Sequence, residues 1–257
     1  MTTSPHLTAL LGLTQPRRGP ASDLPAVLGH TAERLLLPFE GEHLTVWRWG
    51  NARRRVLLIH GWEDDSRLWQ AWVGAYLARG VQVLSLDLPA HGHSTGTTTT
   101  VVQCGRAVAE VAAQLGSLDQ AVGHSMGSAA LLSAFQRGLQ VAHSVHIAGP
   151  SVLTHVVHGA AQHANLSPAD TATFVGEFEH LIGSPTTDWD IGALASGLCH
   201  PGLIAHDPAD RRVPFAESVE LHVHWPRSIL LPLEDTGHRR IVDSAELQQR
   251  ALEAFPW

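Results

Sequence analysis

The chain has 257 residues, of which 44% are hydrophobic and 16% charged, and its formal net charge is −7. One α/β domain of this length is ordinary, and the chain is long enough to bury a large core. The negative charge argues against nucleic-acid binding, because no basic stripe could neutralise many phosphates. All 17 basic residues are arginine, which excludes a catalytic lysine or a Schiff base.

The cysteines and the apolar runs say little about partners. Cys104 and Cys199 are too few for a disulfide framework and lack the spacing of a zinc site, so we expect both to be packing residues. No apolar run approaches the ~20 residues that a membrane-spanning helix needs, and the N-terminus lacks the basic region of a signal peptide. We therefore expect a cytoplasmic protein without a membrane span. The sequence leaves the oligomeric state open, a homodimer included.

The first half of the chain predicts a sheet of alternating strands and helices. Residues 1–30 are rich in proline and glycine and predict an arm with at most one short helix. Residues 33–49 alternate apolar and polar side chains around Gly41, which predicts an antiparallel hairpin. Compact apolar runs then alternate with segments of helical periodicity, one of them over 97–116. This alternation predicts parallel βαβ units, and hence an α/β fold with a doubly wound, mostly parallel sheet.

The alternation stops after Pro150 and resumes near residue 200. Two helical patches but no strand occupy the segment between, which predicts a small helical cap inserted into the core. A last helix is predicted from about 240 to 255. The predicted domains are an N-terminal arm (1–30), a core (31–150 and 200–257) and a cap (151–199).

A glycine-flanked serine at a predicted strand-to-helix turn is the most informative motif. It reads Gly123-His124-Ser125-Met126-Gly127. Such an elbow is sharp and crowded, and it holds a hydroxyl above the sheet beside a helix N-terminus. A helix N-cap would also explain a serine here. As a nucleophile, the serine needs a base, an acid and an oxyanion hole elsewhere in the chain.

Three further predicted strand ends carry polar residues, and these ends meet at one edge of an open parallel sheet. They are His60-Gly61-Trp62, the loop from Asp207 to Asp210, and Gly237-His238. Their order, with DLPAHGHS (87–94), HDPADRRVP (206–214) and TGHRRI (236–241), resembles the alpha/beta-hydrolase family from about residue 33 to 257. The resemblance implies the alpha/beta-hydrolase fold and a serine esterase-like activity that requires no cofactor.

The resemblance also assigns roles to single residues. Ser125 is the expected nucleophile, His238 the general base, and Asp210 the acid that orients the imidazole. Asp210 is preferred to Asp207 because residues 210–214 match the family pattern D-x-x-V-P, although an Asx-turn or a pair with a neighbouring arginine is an alternative. Asp207 then has a structural role.

Two backbone N–H groups, those of Trp62 and Met126, are the expected oxyanion hole. His60 is expected to be a structural residue of the oxyanion loop. His124 is expected to point away from Ser125, because neighbouring residues on a turn do not face each other. His155 and His158 have helical i, i+3 spacing, but the chain has no H-E-x-x-H motif, and we expect no functional metal.

The leading interpretation is a serine hydrolase that cleaves a carboxylic ester, or a related acyl bond, of a small to medium substrate through an acyl-enzyme. Acyl transfer, C–C bond hydrolysis and perhydrolysis use the same triad and stay open, as does a ligand-binding protein with a vestigial site. Dehalogenase and epoxide hydrolase chemistry is disfavoured, because those relatives carry aspartate at the elbow. The predicted cap contains four large apolar residues that either contribute apolar surface for the substrate or form the core of the cap. They are Phe174, Phe178, Leu181 and Trp189.

Overall fold

An eight-stranded sheet in the order β1-β2-β4-β3-β5-β6-β7-β8 forms the centre of the molecule. The structure, a computed structural model, describes residues 4–20, 22–150 and 152–255. The strands are β1 (Glu33–Phe39), β2 (Glu42–Trp49), β3 (Arg55–Ile59), β4 (Gln82–Asp87), β5 (Gln120–His124), β6 (His143–Ile147), β7 (Gly202–His206) and β8 (Ser228–Pro232). The predicted hairpin is β1–β2, β2 pairs antiparallel with β4, and the pairings from β4 to β8 are parallel. The predicted doubly wound, mostly parallel sheet is confirmed.

Helices connect the parallel strands and cover both faces of the sheet. They are α1 (Pro5–Thr14), α2 (Gln70–Leu77), α3 (Val101–Leu115), α4 (Met126–Gln136), α5 (Leu153–His163), α6 (Pro168–Ile182), α7 (Ile191–Ala195), α8 (Phe215–His224) and α9 (Ala245–Glu253). Short 3-10 turns precede α2, α7 and α9. Within the described ranges, none of these helices is both long enough and apolar enough to cross a membrane.

Two helix boundaries differ from those that periodicity predicts, and both differences come from capping side chains. The helix expected over 97–116 begins at Val101, because Thr100 is its N-cap and accepts a hydrogen bond from the Gln103 N–H at 3.2 Å. The helix expected from about 240 to 255 is a 3-10 turn followed by α9. Ser244 separates the two and caps α9 through the Leu247 N–H.

The core strands are buried because helices pack on both sides of the sheet. Side chains alternate between the faces of β3, so that Leu58 packs with α2 and α9 while Leu57 and Ile59 pack with α3 and α4. This two-sided burial explains why β3 reads as a continuous apolar run rather than an alternating one.

A third apolar cluster lies under the helices α5, α6 and α7, which follow β6 and precede β7. Phe174 and Trp189 are buried in it together with Ala9 of α1 and Trp225 of the core. Leu181 is 55% exposed, so the alternative that it belongs to the core of the cap is wrong. The division of the chain into arm, core and cap stays a prediction.

Candidate active site

The elbow between β5 and α4 places Ser125 at the carboxyl edge of the sheet. Ser125 has φ 54° and ψ −121°, a backbone conformation that non-glycine residues rarely adopt. Its glycine neighbours are required by space: a Cβ on Gly127 would lie 2.4 Å from the carbonyl oxygens of Ile59 and His60. A Cβ on Gly123 would lie 2.6 Å from the Gly127 carbonyl. Close packing of the elbow against the end of β3 therefore explains the G-x-S-x-G pattern.

The structure brings the three residues of the expected triad into one hydrogen-bonded chain. His238, in the loop after β8, has Nε2 at 3.0 Å from the Ser125 Oγ. Its Nδ1 lies 2.7 Å from Oδ2 of Asp210. Because a carboxylate can only accept, Nδ1 carries the proton and the Nε2 lone pair faces the serine hydroxyl. The imidazole is therefore in the tautomer that can accept the serine proton.

Asp210 is buried and remains ionised because several N–H groups donate to it. Its Oδ1 accepts from the backbone N–H of Arg212 at 2.7 Å and of Val213 at 3.2 Å. Burial alone would raise the pKa of Asp210, but the Arg212 N–H and the His238 ring outweigh it and lower the pKa. The carboxylate is thus a fixed negative charge beside the imidazole.

His206, at the end of β7, is a residue of this site that the sequence reasoning missed. Its ring is fully buried, and Nε2 lies 3.2 Å from both Asp210 Oδ2 and the Val213 carbonyl oxygen. Nδ1 lies 2.6 Å from the Ser218 Oγ. Two acceptors at Nε2 place the proton there, so His206 donates to the same carboxylate oxygen that His238 contacts. The only sequence signal was a histidine four residues before Asp210.

Asp207 does not contact the His238 ring. Its Oδ1 accepts from the Ala209 N–H at 2.8 Å, and its Oδ2 accepts from the backbone N–H of Gly237. These hydrogen bonds lower the pKa of Asp207, the one from Gly237 most strongly. Asp207 thereby ties the loop that carries His238 to the end of β7.

The expected oxyanion donors lie beside Ser125. In the described part of the chain, neither the Trp62 N–H nor the Met126 N–H has a protein acceptor. A Cβ on Gly61 would lie 3.1 Å from the Ser125 Cβ, so the loop of residues 60–62 packs closely against the serine. His60 holds this loop, since its Nε2 accepts from the Leu88 N–H at 3.0 Å.

His124 contacts the expected base rather than the Ser125 hydroxyl. Its Nε2 donates to the backbone carbonyl of His238 at 2.9 Å, and the two rings lie 5.1 Å apart. Burial lowers the pKa of His124 to about 4, so this ring is neutral at pH 7. The sequence reasoning missed this contact, which adds a main-chain restraint on His238.

Ser125 lies between two cavities of opposite character. The apolar cavity, of about 210 Å³, is lined by Gly12, Leu13, Trp62, Val101, Met126, Ala129, Leu153, Val156 and Phe178. The polar cavity, of about 320 Å³, is lined by Gly61, Trp62, Glu63, Asp64, His124, Arg212, Val213, His238 and Arg239. Arg239 pairs with Asp64 at 2.6 Å across the polar cavity. Of the four apolar residues expected near the substrate, Phe178 lines the apolar cavity.

Within the described ranges, no group of three or more histidine, cysteine, aspartate or glutamate side chains is arranged to hold a metal ion. His155 instead has Nδ1 at 3.0 Å from Glu217. The Glu217 carboxylate also accepts from the Val152 N–H, which connects α8 to the start of α5.

Buried neutral histidines predict acid lability. Burial lowers the pKa of His91 and His146 to about 3 and that of His124 to about 4. Between these values and about 6.5 the unfolded chain binds more protons than the folded chain, so stability falls as pH falls. Each ring contributes about 1.4 kcal/mol per pH unit in that window. Urea unfolding at pH 7.5 and pH 5.5 measures the loss.

Burial also lowers the pKa of His143 and His200 to about 4, so five rings titrate in this window. The variant His146→Gln removes one of them and is expected to reduce the pH dependence of the unfolding free energy by about a fifth. A wild-type unfolding free energy that is equal at the two pH values would contradict this account.

Comparisons with known proteins agree with this architecture. A family model described as alpha/beta hydrolase fold matches residues 54–180. An esterase of Pyrococcus furiosus superposes with a TM-score of 0.72 at 19% identity, over 94% of this chain and 97% of that chain. A thioesterase domain from the curacin biosynthetic pathway gives 0.64 at 18% identity, over 86% and 99% of the chains. Est816, an N-acyl homoserine lactone degrading enzyme, gives 0.66 at 16% identity, over 86% and 100% of the chains.

A search of curated protein sequences found no match to the chain. The family match over residues 54–180, the sheet order and these superpositions show that the chain has the alpha/beta-hydrolase fold.

Proposed function

We propose that this protein is a serine hydrolase that cleaves a carboxylic ester, or a related acyl bond, through a covalent acyl-enzyme. One observation carries the proposal: the Ser125 hydroxyl, the His238 imidazole and the Asp210 carboxylate form a continuous hydrogen-bonded chain, with contacts of 3.0 and 2.7 Å. A helix N-cap needs none of these contacts, and the Ser125 side chain makes no capping hydrogen bond.

The proposed reaction begins when the Ser125 Oγ attacks the carbonyl carbon of the substrate and its proton passes to Nε2 of His238. The carbonyl oxygen becomes an oxyanion that accepts from the N–H groups of Trp62 and Met126. Asp210 stabilises the imidazolium, and Nε2 then donates the proton to the leaving-group oxygen. Water attacks the acyl-enzyme in the same way, its proton passes through His238 to Ser125, and the carboxylic acid leaves.

Hydrolysis is favoured over acyl transfer by the polar cavity, which gives water a route to Ser125 and His238. Solved structures with this fold include an esterase, a thioesterase domain and a lactone-degrading enzyme, and these activities share acyl chemistry at a carbonyl. That likeness supports the reaction class and leaves the substrate to experiment.

A fluorophosphonate probe tests the nucleophile directly, because it labels a serine that an adjacent base activates. We expect one covalent adduct on the intact wild-type protein and none on Ser125→Ala. We also expect turnover of p-nitrophenyl esters by the wild type. A protein that forms no adduct at Ser125 and cleaves no ester of the series would overturn the proposal.

A further inference from the structure

Helix α1 is docked on the helices that cover the apolar cavity, although it lies outside the residues that the family model matches. Ala9 is buried in the apolar cluster shared with α5 and α6. At the exposed end, the His6 ring lies 2.6 Å from a Glu177 carboxylate oxygen and 5.4 Å, edge to face, from the Phe174 ring. Contacts at both its buried and its exposed residues therefore fix the position of α1.

The segment after α1 is tied to the loops of the active site. Arg17 forms a bidentate pair with Glu63, the residue that follows Trp62 in the oxyanion loop. Arg18 donates to the Ala90 carbonyl at 2.7 Å. The Thr99 N–H donates to the Thr14 carbonyl at 2.7 Å. These contacts fix the C-terminal end of α1 against the core.

Gly12 and Leu13 of α1 are among the residues that line the apolar cavity. A Cβ built on Gly12 meets no atom within 4 Å, so the absence of a side chain there leaves open space. Among the residues that the structure describes, none that lines the cavity is charged, so the cavity disfavours a charged ligand. Its 210 Å³ is below the ~300–1,000 Å³ of cavities that hold drug-sized ligands.

We propose that α1 is the closing wall of the acyl site and that Gly12 sets the length of the acyl chain. The substrate class is an ester, or related acyl compound, with an uncharged aliphatic acyl chain of short to medium length and a polar leaving group. The acyl chain occupies the apolar cavity and the leaving group faces the polar cavity. This inference rests on the proposed function, since Ser125 joins the two cavities.

The variants Gly12→Ala and Gly12→Leu test it, with kcat/KM measured on p-nitrophenyl acetate, butanoate, octanoate and dodecanoate. We expect the wild type to have its highest kcat/KM on the butanoate and octanoate esters, and lower values on the acetate and dodecanoate esters. In Gly12→Leu the octanoate-to-acetate ratio of kcat/KM falls at least ~10-fold, because a missing methylene in a hydrophobic pocket already has an effect of this size. Gly12→Ala is intermediate, and Leu13→Ala shifts the preference towards dodecanoate.

Gly176→Leu is the matched control, because Gly176 is also an exposed helical glycine with open space around its Cβ, and it does not line the cavity. We expect its chain-length profile to equal that of the wild type. Thermal unfolding of each variant verifies that it is folded.

Binding of octanamide, measured by calorimetry, separates this inference from the proposed function because it needs no turnover. If the wild type binds octanamide and Gly12→Leu does not, the result supports the apolar cavity as the acyl-chain site even if the wild type cleaves no ester. Ester turnover with the same chain-length profile in wild type and Gly12→Leu overturns the role of α1. Absence of both turnover and octanamide binding in the wild type overturns the two proposals together.

Discussion

Replacing Ser125 with alanine is expected to lower kcat for ester hydrolysis by about 10⁶-fold, the scale seen when a serine nucleophile is removed from an intact triad. The variant keeps the elbow, but it lacks the Oγ that lies 3.0 Å from His238 Nε2 and that forms the acyl-enzyme in the proposed reaction. The remaining activity would come from binding and from the proposed oxyanion donors, the Trp62 and Met126 N–H groups, which the substitution leaves in place. Steady-state turnover of a p-nitrophenyl ester that the wild type cleaves measures the effect.

Ser128→Ala is a matched control for this variant. Ser128 lies in the first turn of α4, and its hydroxyl is 2.8 Å from Nδ1 of His146, away from the triad. We expect its kcat to fall less than tenfold. A Ser125→Ala protein that retains more than about one hundredth of the wild-type kcat would exclude Ser125 as the nucleophile.

Asp210→Asn is expected to lower kcat by about 10⁴-fold, because an amide N–H₂ facing Nδ1 reverses the His238 tautomer. In the wild type, the lone pair of Nε2 faces the Ser125 Oγ. In the variant, Nε2 would carry the ring proton, and the ring could no longer accept a proton from the serine. Asp207→Asn is the comparison. Asp207 accepts from the Gly237 N–H and contacts no ring of the triad, so its variant should lose stability more than kcat.

Urea unfolding of both variants separates misfolding from the loss of catalysis. A folded Asp210→Asn protein with near-wild-type kcat, together with an inactive but folded Asp207→Asn protein, would transfer the role of the acid to Asp207. Because Asp207 and Asp210 lie on the same loop, a difference in kcat between the two variants does not come from different packing elsewhere in the molecule.

The sequence predicted most of the sheet because its strands are buried on both faces and its helices carry one apolar face. Helix starts were misplaced where Thr100 and Ser244 act as caps, since a capping side chain competes with helical periodicity. Ser125, Asp210 and His238 were predictable because their motifs follow the carboxyl ends of three parallel strands, β5, β7 and β8. The structure places their side chains in contact, and their catalytic roles stay a proposal.

The remaining parts of the site depend on contacts between residues that no motif links. His206 contacts Asp210 only because β7 and the following loop fold back on each other. The position of Gly12 in the cavity wall depends on where α1 docks, and residues 1–30 carry no periodicity that would predict it. His124 contacts the main chain of a residue 114 positions away. Three-dimensional packing, rather than local pattern, determines these details.

The loop after β7 holds two successive residues of another loop by different means. Asp207 accepts a hydrogen bond from the backbone N–H of Gly237, and Asp210 accepts one from the side chain of His238. The loops after β7 and β8 are therefore joined at two points, and one of these is the contact between the proposed acid and the proposed base. Neither contact involves α5 or α6, so the distance from His238 to Asp210 is set by the loops after β7 and β8 and not by the helices that line the apolar cavity.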